Sequence, residues 1–382
     1  MKGRFLPIKF ICGLAAVGAA LALASCASTS SAAPLIDSDI QEAEQTARAW
    51  MAERGFNGVV LVNWSGKDLI AIADGVADPQ TGRRLTMQTR FETGSVEKYF
   101  VAIAAFRLIE KGMLDLDAPI ATYLPDYRAD TGARITLRSL LSNQSGLPND
   151  ILDAFRRAAN GEAETIDALD AGEAVREFTS GDLKFEPGAR FDYVLSNWLL
   201  AQHLLEQVAG EDYAALRASD VFNAAAMTQS GGYVHDMQET DPPVTDVAIG
   251  FDPEDANGRG DYWTPRFFRG SYATAGDMLT LERALSAGAL MEPETVTLFR
   301  TVQAPEENYA FGGRYRTWRM CGEAHLISTQ SGSNGATNIV SAYDVETGLG
   351  VALFTNVDDS QGDMFALAET LMNIAMGCAG PA

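Results

Sequence analysis

The chain has 382 residues, 47% of them hydrophobic, and a mean hydropathy of −0.05. This composition excludes a disordered chain and an integral membrane protein, and the length suits one large domain or two interleaved ones. The formal net charge is −22, so nucleic acid and anionic lipid surfaces are not expected as partners.

The chain begins with the pattern of an export signal. Three basic residues, Lys2, Arg4 and Lys9, accompany an apolar run over residues 10–24 that is too short to span a membrane. We therefore predict that the protein is exported. Loss of these three residues takes the formal charge from −22 to −25, which leaves a strongly acidic mature protein.

The apolar run ends in Leu23-Ala24-Ser25-Cys26, which resembles the lipobox of bacterial lipoproteins. The resemblance implies that residues 1–25 are a signal peptide, that Cys26 is lipidated, and that the Ser- and Ala-rich residues 26–36 form a flexible tether. Ala27, not Asp, follows Cys26, which by the sorting rule of such lipoproteins favours the outer over the inner membrane, facing the periplasm. The alternative is a plain signal peptide that is cleaved nearby.

Hydrophobic periodicity and turn residues divide residues 37–382 into helices and strands. Strands near both ends, with a mostly helical insertion at about 114–270, predict one α+β domain whose sheet is built from the two ends of the chain. Within the insertion, residues 241–270 are rich in Pro, Gly and Asp and are predicted to be irregular. The predicted helices cover 37–54, 95–111, 275–287 and 363–376, and the predicted strands cover 58–62, 69–73, 339–343 and 349–355.

Serine and lysine lie three residues apart at the start of the second predicted helix. Ser95 and Lys98 would share one helical face, where the hydroxyl and the amine can meet. A serine in the first turn also lies beside backbone N–H groups without intrahelical partners, which suits a nucleophile whose intermediate is an oxyanion. The alternative is an ordinary buried helix with a capping serine and a solvated lysine.

Five stretches in order resemble the serine β-lactamase-related family, which includes class C β-lactamases, D-aminopeptidases and penicillin-binding carboxypeptidases. They extend the resemblance over most of the chain, roughly residues 39–378. The stretches are Gly94-Ser95-Val96-Glu97-Lys98, the segment 135–148 (ITLRSLLSNQSGLP), Glu186-Pro187-Gly188-Ala189-Arg190-Phe191-Asp192-Tyr193, Ala273-Thr274-Ala275-Gly276-Asp277-Met278, and the segment 348–356 (GLGVALFTN).

The family resemblance implies a role for each matching residue. Ser95 would be acylated, and Lys98 would assist its deprotonation. Tyr193 would work with Lys98 as general base and acid, because a nearby ammonium can lower the pKa of a phenol. The backbone N–H groups of Ser95 and Ser333 would form the oxyanion hole. The alternative for Tyr193 is a half-buried aromatic side chain at a helix start.

Two positions depart from the family pattern. The tyrosine motif usually has Asn two residues later, where this chain has Leu195; Asn197 is expected to reach the substrate from the next turn. The third motif, usually Lys-Thr-Gly or His-Thr-Gly, is replaced by Gln330-Ser331-Gly332, which is expected to contact substrate. Gln330 carries no charge and would bind a substrate carboxylate weakly, so efficient β-lactam hydrolysis is placed in doubt.

Two cysteines remain after Cys12 and Cys26 are accounted for. Cys321 and Cys378 would lie in an oxidising compartment, where a disulfide between them would fix the C-terminal helix. The alternative is two free thiols.

Histidine-based chemistry has little support in the sequence. The three histidines, His203, His235 and His325, are scattered and have no metal-ligand spacing, so we predict no metal and no cofactor. A Gly-x-Ser-x-Gly elbow is absent, which disfavours an α/β-hydrolase, and a Ser-His-Asp triad is unsupported.

The sequence thus predicts an exported, lipid-anchored serine hydrolase that acts through an acyl-enzyme. Its partner would be a small-molecule or peptide substrate: a D-residue peptide, an ester or a β-lactam. No nucleic acid is expected, contact with the membrane would be through the lipid alone, and the oligomeric state stays open. One alternative is a non-catalytic, penicillin-binding-like ligand binder, and another is a structural envelope lipoprotein.

Overall fold

The computed structural model describes residues 37–234, 244–253, 255–259 and 265–378. The predicted signal peptide, Cys26, the tether and His235 lie outside these ranges. Within them, none of the helices combines the length and the apolar character that a membrane span requires.

Twelve α-helices and thirteen strands occur in the described ranges. The helices are α1 Asp37–Arg54, α2 Glu97–Glu110, α3 Ala129–Gly132, α4 Leu137–Leu141, α5 Ile151–Arg157, α6 Ala163–Asp167, α7 Ala171–Phe178, α8 Ser196–Ala209, α9 Tyr213–Arg217, α10 Ala275–Ser286, α11 Pro293–Arg300 and α12 Gln361–Ala375. The strands are β1 Gly58–Trp64, β2 Lys67–Asp74, β3 Val76–Asp78, β4 Arg83–Arg84, β5 Phe91–Glu92, β6 Gly231–Tyr233, β7 Phe251–Asp252, β8 Asp255–Arg259, β9 Gly270–Ala273, β10 Arg314–Met320, β11 Glu323–Asn334, β12 Thr337–Asp344 and β13 Leu349–Thr355.

A six-stranded antiparallel sheet, in the order β10-β11-β12-β13-β1-β2, joins the two ends of the chain. The closing pair is β1 with β13, in a register that sets Gly58 opposite Thr355 and Trp64 opposite Leu349. Helices from the middle of the sequence pack beside this sheet. The predicted α+β class, with a sheet built from both ends, is confirmed.

Both faces of the sheet are covered, and the residues of its central strands β12 and β13 are therefore buried throughout rather than alternating between buried and exposed. On one face α1 and α12 cover the sheet; Ala43, Ala47 and Met51 of α1 lie in this layer, as the helical spacing predicts. On the other face α2, α8 and α10 form the larger core. Helix α2 is buried along nearly its whole length, so its first turn is held firmly in place.

The edge strand β10 is not among the predicted strands. Its sequence, RYRTWRM, carries three arginines and alternates imperfectly between buried and exposed positions. Basic residues on an edge strand discourage pairing with other chains, so its polar composition fits its position.

A disulfide joins the turn after β10 to the end of α12. Cys321 and Cys378 are paired, with their Cα atoms 4.9 Å apart and a sequence separation of 57. The bond ties the C-terminal helix to the edge of the sheet.

Candidate active site

The turn immediately before α2 lies against strand β11, and the two backbones are in direct contact. A Cβ atom at Gly332 would lie 1.9 Å from the carbonyl oxygen of Thr93, and one at Gly94 would lie 2.4 Å from that of Ser333. Gly94 also has φ +50°, in the left-handed region that favours glycine. The two glycines allow the approach that places Ser95 beside β11.

Ser95 Oγ lies within hydrogen-bonding distance of both predicted proton-transfer groups. Lys98 Nζ donates to it at 3.2 Å, and Tyr193 Oη donates to it at 2.9 Å. The lysine amine also lies 5.1 Å from the centre of the Tyr193 ring. Lys98 is 5% exposed and Tyr193 is 38% exposed, so the lysine lies beneath the site and the tyrosine at its surface.

The surroundings of Tyr193 lower the pKa of its phenol. Burial of the hydroxyl end raises the pKa, but the charge of Lys98, hydrogen bonds to Ser95 and Lys98, and the charge of Arg314 together outweigh it. A lower pKa increases the fraction of phenolate, which is the form that can accept a proton from Ser95.

Among the strands of the described ranges, none pairs with the edge of β11 beside Ser95 after Thr329. Its pairing with β10 ends at Thr329, whereas its pairing with β12 continues to Asn334. An extended ligand can form backbone hydrogen bonds to such an edge. Ser333 lies on this segment, with its backbone next to Gly94.

A cavity of about 140 Å³ opens beside the serine. Its lining is mixed. The polar and charged side chains that line it are Ser95, Glu97, Lys98, Arg269, Ser271, Ser333 and Asn334, and the aromatic and aliphatic ones are Phe155, Leu195, Tyr233 and Phe268. Ser95 therefore has an adjacent recess that part of a bound ligand can occupy.

Asn197 is not at the cleft, and the expectation that it contacts substrate is wrong. It is fully buried. Its Oδ1 accepts a hydrogen bond from Ser145 and its Nδ2 donates to Asn143. Since α8 begins at Ser196, Asn197 points into the helix packing and fixes the loop before α5. Leu195, which is partly buried, lines the cavity instead.

Gln330 also differs from the expectation of an open substrate contact. It is 3% exposed, and its amide donates to Ser328 Oγ at 2.9 Å. A Cβ atom at Gly313 would lie 2.3 Å from Gln330 Oε1, so the amide is packed against the residue before β10. Of its two neighbours in the motif, Ser331 is partly exposed on the free edge and Gly332 makes the contact with Thr93.

A buried ion pair lies behind the site, and the sequence did not predict it. Arg217 is fully buried, and its guanidinium lies 2.5 Å from the carboxylate of Glu97, which also accepts a hydrogen bond from Tyr213 at 2.6 Å. Glu97 lies between Ser95 and Lys98 and lines the cavity. The position of Glu97 between Ser95 and Lys98 is a sequence feature that could have pointed to a role at the site. Arg217 lies more than a hundred residues later, and no sequence feature marks it.

Neither of the two histidines in the described ranges, His203 and His325, lines the cavity beside Ser95. His325 Nδ1 is 2.8 Å from the buried Asp344, and His203 lies on α8 near Glu206. In the described ranges, no group of three or more His, Cys, Asp or Glu residues is arranged to hold a metal ion.

Curated relatives include penicillin-binding proteins and an esterase. The putative penicillin-binding protein PbpX of Bacillus subtilis is 29% identical over 195 residues, which are 51% of this chain and 46% of that protein. The chain thus matches about half the length of this relative. Esterase EstB of Burkholderia gladioli is 28% identical over 278 residues, which are 65% of this chain and 70% of the esterase.

Solved structures share the fold. A penicillin-binding protein from Bacillus halodurans superposes with a TM-score of 0.68 at 22% identity, covering 85% of this chain and 98% of that one. The sequence profile of the Beta-lactamase family matches residues 43–375. The match covers most of the chain and confirms the resemblance drawn from the motifs: this chain belongs to the Beta-lactamase family of serine hydrolases.

Proposed function

We propose that the chain is an exported hydrolase that cleaves small esters or amides through an acyl-enzyme on Ser95. The observation that carries this proposal is the position of Ser95 Oγ, at 3.2 Å from Lys98 Nζ and 2.9 Å from Tyr193 Oη. A serine needs such a base within reach to act as a nucleophile near neutral pH. The esterase among its relatives is consistent with this activity.

Acylation follows from the arrangement of these groups. Ser95 Oγ attacks the carbonyl carbon of the substrate and its proton passes to Tyr193 Oη, while Lys98 favours the phenolate by its charge. The N–H groups of Ser95 and Ser333 stabilise the negative charge on the carbonyl oxygen. The bond to the leaving group then breaks, and the leaving alcohol or amine takes the proton from Tyr193.

Deacylation reverses the proton transfers with water as the nucleophile. Water attacks the carbonyl carbon of the acyl-enzyme and gives a proton to Tyr193. The bond between Ser95 Oγ and the acyl carbon breaks, Tyr193 returns the proton to Ser95, and the carboxylic acid leaves.

We propose that the preferred substrates are neutral esters or amides rather than β-lactams. Gln330 supplies no positive charge for a substrate carboxylate, and its amide is already bonded to Ser328. D-residue peptides and β-lactams stay in the substrate class, with slower turnover expected for the β-lactams.

We further propose a lipid anchor on Cys26 and a periplasm-facing location, more in the outer than in the inner membrane. The support is the sequence Leu23-Ala24-Ser25-Cys26 after an apolar run. Metabolic labelling with a radioactive fatty acid should mark the wild-type protein and not Cys26→Ala. Equal labelling of both proteins would contradict the anchor.

The test of the proposed activity is hydrolysis of p-nitrophenyl acetate and of a chromogenic cephalosporin. We expect turnover of the ester, with a loss of at least a thousandfold in kcat for Ser95→Ala. Ser180→Ala, a partly buried serine on the loop after α7 that does not line the cavity, should keep the wild-type rate. A folded wild-type protein that hydrolyses neither substrate would refute the proposal.

A further inference from the structure

Tyr193 lies on a segment without regular secondary structure. Residues 191–194 belong to no helix or strand, and α8 begins only at Ser196. The hydroxyl of Tyr193 is nevertheless 2.9 Å from Ser95 Oγ, although the tyrosine is 38% exposed. Since neither a backbone ladder nor complete burial fixes the ring, the position of the hydroxyl depends on how the neighbouring residues are held.

Asn143, on the loop after α4, binds the chain on both sides of Tyr193. Its backbone carbonyl accepts a hydrogen bond from the N–H group of Asp192 at 2.8 Å. Its side-chain Oδ1 accepts two more, from Asn197 Nδ2 at 3.1 Å and from Trp198 Nε1 at 3.2 Å. Asp192 directly precedes the tyrosine, and the other two donors lie in the first turn of α8. One residue therefore holds both ends of the segment that carries Tyr193.

The position suits asparagine for two separate reasons. Asn143 has φ +56°, in the left-handed region that asparagine and aspartate adopt more readily than other residues with a side chain. The indole N–H of Trp198 can only donate, so the atom that faces it has to be an acceptor. Glycine would supply the conformation without the acceptor. Because Asn143 is fully buried, it does not contact a substrate and can act only through other residues.

Other hydrogen bonds hold this segment at one point each. The N–H group of Leu195, after the tyrosine, donates to Asn149 Oδ1 at 2.9 Å. Before the tyrosine, Lys184 Nζ donates to the carboxylate of Asp192 in an ion pair that is partly exposed. Asn143 differs from both, because it bonds to the chain on each side.

We propose that Asn143 is a positioning residue for Tyr193 and keeps its hydroxyl at Ser95 by holding both flanks of the segment. The inference rests on the proposed function, in which Tyr193 takes the proton of Ser95. Without the Asn143 side chain, the start of α8 is released from the loop after α4. A displacement of about 1 Å can cost about a hundredfold in rate, so proton transfer from Ser95 should slow.

The test measures how fast a fluorophosphonate labels Ser95 in a double-mutant cycle. Asn143→Gly removes the acceptor and accommodates the left-handed backbone. It should slow labelling by at least about fivefold, and by less than Tyr193→Phe does. In the Tyr193→Phe background it should change the rate by less than about twofold, because the hydroxyl that it positions is gone. An equal loss in both backgrounds, or no loss with Tyr193 present, would overturn the inference.

The pH dependence of labelling separates positioning from a general loosening of the fold. Burial raises the pKa of Tyr193, but the charge of Lys98 and the hydrogen bonds to Ser95 and Lys98 bring it below its ordinary value. A tyrosine held less closely to these groups should have a pKa nearer to the ordinary value. The acidic limb of the labelling rate should therefore move to higher pH in Asn143→Gly, and an unmoved limb would overturn the inference.

The control is Asn63→Gly, in the turn between β1 and β2. Asn63 is 8% exposed, and its side chain accepts a hydrogen bond from the Gly66 N–H group and donates one to Asp68. The variant removes the hydrogen bonds of another buried asparagine, and it should keep the labelling rate and the acidic limb of the wild type. The same slowing and the same shift in both asparagine variants would overturn the inference.

Trp198→Phe keeps the proposal testable if Asn143→Gly does not fold. It removes one donor to Asn143 Oδ1 and keeps a buried aromatic ring. Labelling should slow by at least about twofold with Tyr193 present and stay unchanged in Tyr193→Phe. An equal change in both backgrounds, or none, would overturn the inference. Failure of the proposed function has a different signature: labelling would then persist in Ser95→Ala, or proceed equally fast in Tyr193→Phe and the wild type.

Discussion

Tyr193 is the residue whose chemistry depends most on its surroundings. Its ring is 38% exposed, yet its hydroxyl lies at Ser95 and faces the charge of Lys98. Burial alone would raise the pKa of the phenol, and the neighbouring positive charges reverse that effect. The lowered pKa of the proposed general base is therefore caused by its neighbours, and a change at a neighbour should appear in the pH dependence of the reaction.

Substitution of Arg314 changes the charge near Tyr193 without removing a group that contacts Ser95. Its guanidinium lies over the Tyr309 ring at 5.2 Å and 3.3 Å from the carboxylate of Glu307. Its charge is one of the causes that lower the pKa of Tyr193. Arg314→Ala should raise this pKa, since the phenolate loses a positive charge and Glu307 is left unpaired. The acidic limb of kcat/KM should therefore move to higher pH.

The control is Arg314→Lys, which keeps the charge. It should leave the acidic limb near the wild-type position, and its kcat at high pH should match that of Arg314→Ala, because the base is fully ionised there. A limb that moves to lower pH in Arg314→Ala, or moves equally in both variants, would contradict the electrostatic role.

The buried ion pair between Glu97 and Arg217 holds the first turn of α2 in place. Both side chains are at most 5% exposed. A Cβ atom at Gly232 would lie 1.9 Å from Arg217 Nη2, so β6 has a glycine where the guanidinium needs room. The pair joins α9 to the first turn of α2, which carries Lys98 and directly follows the turn that holds Ser95.

Removal of one partner from this pair should be costly. Arg217→Met leaves the Glu97 carboxylate buried without a counter-charge, and we expect a loss of about 3–5 kcal/mol in the free energy of unfolding. The double variant Glu97→Gln/Arg217→Met should recover part of that loss. Urea denaturation measures both.

The matched control is Arg48→Met on α1, where the ion pair with Glu44 is 57% and 41% exposed. Its loss should be at most about 0.5 kcal/mol. Equal losses at Arg217 and Arg48 would show that the buried pair has no special role.

The disulfide holds the end of α12 at the edge of the sheet. Cys321→Ser/Cys378→Ser should lower the free energy of unfolding by about 2–4 kcal/mol, because the unfolded chain regains the freedom of a long loop. Thermal unfolding with and without a reductant checks this. The reductant should lower Tm for the wild type and leave the double variant unchanged; the opposite pattern would contradict a disulfide in the folded protein.

At the scale of the whole molecule, local patterns were enough to predict the layers of the fold. Hydrophobic periodicity predicted a helix over residues 37–54, which is α1, and the apolar runs predicted the strands that join the two ends of the chain. Both depend on burial, which the sequence shows as periodicity.

The candidate site was predictable only where a motif marks it. Ser95, Lys98 and Tyr193 meet as the motifs imply. The burial of Asn197 was not predictable, because it depends on partners more than fifty residues away along the chain. Spacing within a motif fixes which residues lie near one another, but long-range packing decides which of them faces the cleft.

The central claim is that Ser95 is the nucleophile, and covalent labelling tests it most directly. The purified protein is treated with a fluorophosphonate, its intact mass is measured, and the modified peptide is mapped. We predict one adduct, on Ser95, which is absent in Ser95→Ala and much slower to form in Tyr193→Phe. An adduct on another residue, equal labelling of Ser95→Ala, or no adduct on the folded wild-type protein would contradict the account.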